Sequence, residues 1–155
     1  MSEISESVVI GASLAEVWDY YFEPRGWPSW VDGFARVEAS DGYPELGGSL
    51  RWASIPAGRG VVTEHVLEHE PRRLHRVAFG DPDSAGELRA TFAIEGEATR
   101  LTQELDYRLR RRGPFAWATD RLFIRSQMRG SLRRSLARLR AEVEEMSRVG
   151  YSNSP

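Results

Sequence analysis

The sequence predicts an α+β fold: one curved antiparallel sheet of about seven strands packed on a long C-terminal helix. Three observations lead there. Short runs of alternating polarity fill the first two thirds of the chain, and Gly, Pro and Asp separate them. These runs follow one another too closely for crossover helices, so neighbouring strands pair antiparallel. From Pro114 to about Met146 the period becomes helical, and roughly 30 residues make a rod about 45 Å long. One rod cannot cover so many strands lying flat. The sheet must curl, and its concave face then tends to enclose a cavity.

Taken in order, residues 3–10, "EISESVVI", alternate and form the first strand. "GASLAEVWDYYF" is a helix. Ser13 and Glu16 make a capping box, and Leu14, Val17, Trp18 and Tyr21 share one face. Pro24 ends it. The next stretch, "EPRGWPSWVDGF", places Trp27 and Trp30 among two prolines and two glycines. It is too broken for a regular element, with at most one helical turn between Pro28 and Asp32. Its tryptophans either plug the end of the core or wall a pocket. Trp30, nearer the next strand, is expected on the pocket and Trp27 against the first helix. Six strands follow at about 34–40, 48–55, 59–69, 73–80, 86–95 and 99–109. The single domain is expected to span 1–147, with 148–155 a loose tail.

Period-2 alternation assigns faces. Leu101, Gln103, Leu105, Tyr107 and Leu109 face inward from the last strand, and Leu88, Ala90, Phe92 and Ile94 from the one before. The 73–80 strand contributes His75, Val77 and Phe79, and the 48–55 strand Leu50 and Trp52. For 59–69 the favoured inner set is Val61, Thr63, His65 and Leu67, because the other choice buries Glu64 and Glu68. The inner surface is apolar and aromatic with a few polar points, which suits a small-molecule pocket and a filled core alike. A hairpin near Glu70-Pro71 would set His65 and His75 diagonally on one face. That pair fits acid–base chemistry as well as it fits two hydrogen-bonded core histidines.

In the last helix, residues seven apart lie nearly in line. Ala118, Arg125, Leu132 and Leu139 form one row; Leu122, Arg129, Leu136 and Val143 form the next. Arg125 and Arg129 interrupt an otherwise apolar face. Either they anchor an anion or carbonyl in a pocket, or that half of the helix lifts away and they reach water.

Net charge is −2, which leaves no overall basic footprint for nucleic acid. The absence of cysteine excludes disulfides and thiolate chemistry. No run approaches a membrane span, and the N-terminus lacks the regions of a signal peptide, so a cytoplasmic protein is expected. "HVLEH", residues 65–69, matches a zinc-binding pattern that requires a helix. In a strand its histidines stand about 13 Å apart, so neither a metal nor another cofactor is expected.

The segments "SLAEVWDYYFEPRGWPSW", "GRGVVTEHVLEHEPRRL", "TRLTQELDYR" and "SLRRSLARLRAEVE" resemble the START-like (SRPBCC) superfamily, and within it the polyketide cyclase/dehydrase-like family. The resemblance covers almost the whole chain. It implies a helix-grip fold, in which a curved sheet holds the long helix and two short helices after the first strand close one end. It also implies a cavity for a hydrophobic ligand such as a polyketide, lipid, sterol or quinone-like molecule. Some members are aromatase/cyclases; others carry or sense ligands. Aromatase/cyclases carry an inward serine and arginine on the mid-sheet strand. Here His65 and Leu67 match those positions, and the arginine is missing.

The expected partner is thus a small hydrophobic or aromatic ligand, with a homodimer left open. The expected wall is Trp18, Tyr21, Trp30, Trp52, Thr63, Phe79, Phe92, Gln103 and Tyr107. If the protein is a cyclase-like enzyme, His65 or His75 is the base, and Arg125, Arg129 and Tyr107 polarise carbonyl oxygens. The alternatives are a non-catalytic lipid, isoprenoid or quinone carrier and an interaction module with a filled core.

Overall fold

The computed structural model of the chain describes residues 2–110 and 119–152. Strand β1 (Ser2–Ile10) leads to α1 (Leu14–Tyr21), a 3₁₀ turn (Pro24–Gly26) and α2 (Trp27–Trp30). Then come β2 (Phe34–Asp41), β3 (Ser49–Ser54), β4 (Val61–Glu70), β5 (Leu74–Gly80), β6 (Ser84–Glu95) and β7 (Ala98–Leu109). Helix α3 (Thr119–Ser152) closes the chain. It continues past residue 147, so 148–152 are helical where a tail is expected, while the expected helix start at Pro114 lies outside the described residues.

The seven strands form one antiparallel sheet in the order β1-β7-β6-β5-β4-β3-β2. This is the helix-grip arrangement. Strands β2 to β7 are a meander joined by short turns, as their punctuation predicts. Strand β1 pairs with β7, so β1 and β2 sit at opposite edges. The chain from β1 to β2 must therefore cross the whole sheet, and α1, the 3₁₀ turn and α2 make that crossing. That crossing is why the Trp-rich stretch lies across one end of the fold. Register shifts in β2 and β4 mark bulges, which bend strands and sharpen their twist. A Cβ at Gly86 would run into the Asp106 carbonyl, so only glycine lets β6 approach β7 so closely there.

Local signals hold in detail. Ser13 Oγ accepts from the Glu16 backbone N–H at 3.2 Å, and the Ser13 N–H donates to the Glu16 carboxylate at 2.8 Å. This completes the capping box and lowers the Glu16 carboxyl below its usual range. Val17, Trp18 and Tyr21 are the buried face of α1.

Helix α3 behaves as two halves. Leu136, Leu139 and Val143 are buried, against β1, α1 and α2. Toward its N-terminus Leu122 and Phe123 are 74% and 60% exposed. The contacts of the packed half are polar as well: the Gly11 N–H donates to Glu144 at 2.9 Å, and the Asp32 N–H to Ser135 Oγ at 2.9 Å.

This asymmetry predicts that Leu139→Ala costs about 2–5 kcal/mol, the range for a fully buried leucine. Leu122→Ala should cost under about 0.5 kcal/mol. Urea denaturation of the two variants checks the difference, and equal losses would refute the two-halves description.

Candidate functional site

A cavity of about 120 Å³ lies at the end of the fold crossed by α1 and α2. Tyr21 of α1 and Trp27, Trp30 and Val31 of the α2 segment form one wall. The sheet supplies Phe34, Leu50, Trp52, Glu64, Leu88 and Gln103 from five strands. Tyr43 enters from the β2–β3 loop and Arg59 from the β3–β4 loop, and Ser131, Leu132 and Ser135 of α3 close the side.

The aromatic rings brace one another. Tyr21 and Trp30 have centroids 5.1 Å apart, Phe34 and Trp52 5.3 Å, and Trp27 and Tyr43 5.8 Å. Such tilted and edge-on pairs hold their geometry at a cost in adaptability. Trp27 Nε1 donates to the Tyr21 carbonyl at 2.9 Å, which ties α2 to α1. Trp27 thus packs on the first helix, as expected, and lines the cavity beside Trp30 as well.

Three polar features stand among these rings. The first is Glu64. Burial raises its carboxyl above the usual range, against the pull of the Trp52 indole N–H and of the Arg59 guanidinium. Arg59 is committed elsewhere: Nε donates to Asp81 Oδ2 at 2.9 Å, while the guanidinium lies 5.1 Å and 5.7 Å from the Phe79 and Trp52 ring centres. The second is Tyr21, whose hydroxyl meets the Gln103 amide nitrogen at 3.0 Å. Burial pushes the Tyr21 phenol upward, so it stays protonated.

The third is a row of three side chains running back from the wall. Tyr43 Oη lies 3.2 Å from His75 Nε2, and His75 Nδ1 lies 3.0 Å from His69 Nδ1. Burial, and then the neighbouring His69, pull the His75 imidazole down to about 3, so it is neutral at physiological pH. Neutral His75 has one donor and one acceptor nitrogen. The row therefore has two consistent protonation patterns, with every proton pointing towards His69 or every proton pointing towards Tyr43. Burial likewise raises the Tyr43 phenol.

The mouth is latched. Asp32, on the rim, takes Arg134 Nη2 at 3.0 Å and Arg138 Nη1 at 3.2 Å. Burial raises its carboxyl, but these partners outweigh that and hold it below the usual range.

Among the residues expected on the wall, Tyr21, Trp30, Trp52 and Gln103 line the cavity. Trp18, Phe79, Phe92 and Tyr107 are buried in the surrounding core instead. Thr63 and His65 are corrections. Both are exposed, on the opposite face of β4. Val62, Glu64 and Val66 turn inward in the first part of that strand, and a bulge before Glu68 reverses the alternation, so His69 turns inward after it. His75 therefore pairs with His69, not with His65. Ile94 is a further correction: it is 72% exposed near the end of β6. Arg125 and Arg129 do not reach the cavity. Arg129 lies 3.6 Å from Glu6 of β1, and Arg125 is half-buried but not among the lining residues. Tyr43, Glu64, Arg59 and His69 escape the sequence reading. Tyr43 lies in "DGYPELGG", whose glycines mark only turns, and a buried carboxylate counts against any pattern that contains it. Among the described residues no cluster of three or more His, Asp or Glu could hold a metal.

The two displaced ionisations act in opposite directions on stability. The unfolded chain protonates His75 near 6.5 and the fold resists until about 3, so this group weakens the fold as pH falls through that window. The maximal slope is about 1.4 kcal/mol per pH unit. His75→Gln should flatten the acid limb of a denaturation series from pH 7 to pH 4. Glu64 does the reverse. The unfolded carboxyl ionises near 4.5 before the folded one does, so stability falls as pH rises above that point. Glu64→Gln should gain stability relative to the parent at pH 7 and gain none at pH 4.

A family described as polyketide cyclase / dehydrase and lipid transport matches residues 1–144. No functionally curated protein matches the sequence. Solved structures do. A START superfamily protein from Mycobacterium smegmatis superposes with TM-score 0.73 at 15% identity, covering 93% of this chain and 98% of that one. The Zhui aromatase/cyclase from Streptomyces sp. R1128 gives 0.72 at 19%, covering 92% and 93%. Truncated norcoclaurine synthase from Thalictrum flavum gives 0.66 at 15%, covering 92% of each. At these identities the structures establish the fold. With the match over nearly its full length, the chain belongs to the polyketide cyclase/dehydrase and lipid transport family.

Proposed function

We propose that the protein binds a small, uncharged, largely apolar molecule in the cavity behind Trp27 and Trp30. The observation that carries this reading is the character of the walls. Indole and phenyl rings surround the space, while Glu64, Tyr43 and the Tyr21–Gln103 pair supply a few fixed polar points. That is the composition of a site that gains affinity from apolar burial and orientation from a few hydrogen bonds. Family membership supports the same reading.

Glu64 favours a second reading, acid–base catalysis on that molecule. A carboxyl whose ionisation is disfavoured by burial is suited to donate a proton to a carbonyl oxygen, and the Tyr43–His75–His69 row can accept or return one. The bases and carbonyl-polarising groups of this reading are Glu64, Tyr43 and His75. Among the described residues no helix is long and apolar enough to cross a membrane.

Three experiments test these readings. Native mass spectrometry of freshly purified protein should show a retained small molecule, lost in a Trp52→Ala variant. A ligand that quenches the parent should quench Trp27→Phe and Trp30→Phe each less, since both indoles face the space. For the catalytic reading, an enolisable aryl methyl ketone in heavy water should exchange its methyl protons faster with the parent than with Glu64→Gln. NMR reads that exchange, and equal rates for parent and variant would end the acid–base role of Glu64.

A further inference from the structure

The size of the cavity and its unanswered hydrogen bonds narrow the ligand further, given that the cavity is a binding site. Its volume of about 120 Å³ is just below the ~150 Å³ that accommodates one benzene ring in an engineered apolar cavity. It falls well short of the roughly 300–1,000 Å³ of pockets that take drug-sized molecules. The braced rings of Tyr21, Trp30, Phe34 and Trp52 leave little slack to enlarge it.

Two buried polar atoms on this wall have no partner among the described residues: Trp30 Nε1 and Gln103 Oε1. Trp30 is 4% and Gln103 3% exposed, so bulk water does not serve them. Buried polar groups are almost always paired, and an exception calls for an explanation. The indole N–H can only donate. Gln103 is shared with the Tyr21 hydroxyl. Whichever way the amide is turned, that pair spends one donor and one acceptor site on itself and keeps two donors and free acceptor sites. Tyr21, Trp30 and Gln103 line the same cavity, with the Tyr21 and Trp30 ring centres 5.1 Å apart. A hydroxyl can accept from Trp30 and both donate to and accept from the Tyr21–Gln103 pair.

Charge is excluded on both sides. Arg59, the guanidinium on the wall, is held by Asp81 at 2.9 Å, so no free cation awaits an anionic ligand there. Nearby Glu64 lies among the Trp52 ring, Leu50 and Leu88, a setting in which an ionised pair is costly.

We infer that the cavity takes a single-ring, uncharged molecule bearing a hydroxyl, a phenol-class ligand whose hydroxyl answers Trp30 Nε1 and the Tyr21–Gln103 pair. Its ring fills the space between the indoles. A multi-ring molecule or an acyl chain would have to extend beyond that space.

Calorimetric titration of the full chain with phenol, toluene, benzoate and palmitate tests this. Toluene is the more hydrophobic of the first two, so a merely greasy cavity prefers it. Phenol should bind at least tenfold tighter than toluene and than benzoate, and palmitate should not bind. In Trp30→Phe the phenol preference should shrink several-fold while toluene binding persists. Should that variant not fold, the wild-type Trp30 indole N–H resonance should move with phenol and stay put with toluene. Equal binding of phenol and toluene, or an unmoved indole resonance, overturns the hydroxyl inference and leaves the cavity as an apolar site. Benzoate binding as tightly as phenol overturns the claim of neutrality. Palmitate binding without phenol overturns the size argument and leaves the ligand-binding reading standing. Binding of none overturns both.

Discussion

At Leu67, strand β4 carries one residue more than its partner β5, and the extra residue exchanges inside for outside along everything beyond it. Before it, Val62, Glu64 and Val66 point inward; after it, His69 does. Without the bulge, one end of the strand would have to misface. Keeping Glu64 inside would turn His69 to solvent, and His75 would lose its neighbour at 3.0 Å. Keeping His69 inside would turn Glu64 out and Thr63 and His65 in. The bulge is what allows a carboxyl on the cavity wall and an imidazole behind it to come from one strand.

Both groups are then in places where ionisation is unfavourable. Burial works on each in the direction that suppresses charge, upward for the Glu64 carboxyl and downward for the His75 imidazole. The charged groups that border the cavity are paired. Arg59 is clamped to Asp81, and Arg134 and Arg138 to Asp32. The interior therefore disfavours charge at both groups, while the ions around it are paired.

The architecture is legible in the sequence because it rests on local, repeated signals. The Ser13–Glu16 box, the turn residues of the meander and the 3.6 period of α3 each specify their own element. The inner faces of β5 and β7, and of β6 as far as Phe92, follow from strict alternation. The site is legible only in part, and the reason is physical. Alternation cannot reveal a bulge, so the faces of β4 come out reversed and His65 is chosen where Glu64 belongs. The penalty for burying a carboxylate strengthens that error, since it ignores that a buried carboxyl can simply stay protonated. Tyr43 is hidden differently. Its loop is read for turns, and only the tertiary fold sets that loop against Trp27 and His75.

The broken segment between α1 and β2 shows why irregular chain suits this position. It has to cross from one edge of the sheet to the other, and a longer regular helix would set its buried residues on a single stripe. The 3₁₀ turn and the single turn of α2 instead redirect the chain twice within seven residues, Pro24–Trp30. Trp27 and Trp30 both end up on the cavity, and the Trp27 N–H pins the new direction to the Tyr21 carbonyl. Among the described residues the Trp30 N–H receives no such partner. Two indoles from one short segment thus differ: the Trp27 N–H is satisfied within the fold and ties α2 to α1, while among the described residues the Trp30 N–H is not satisfied.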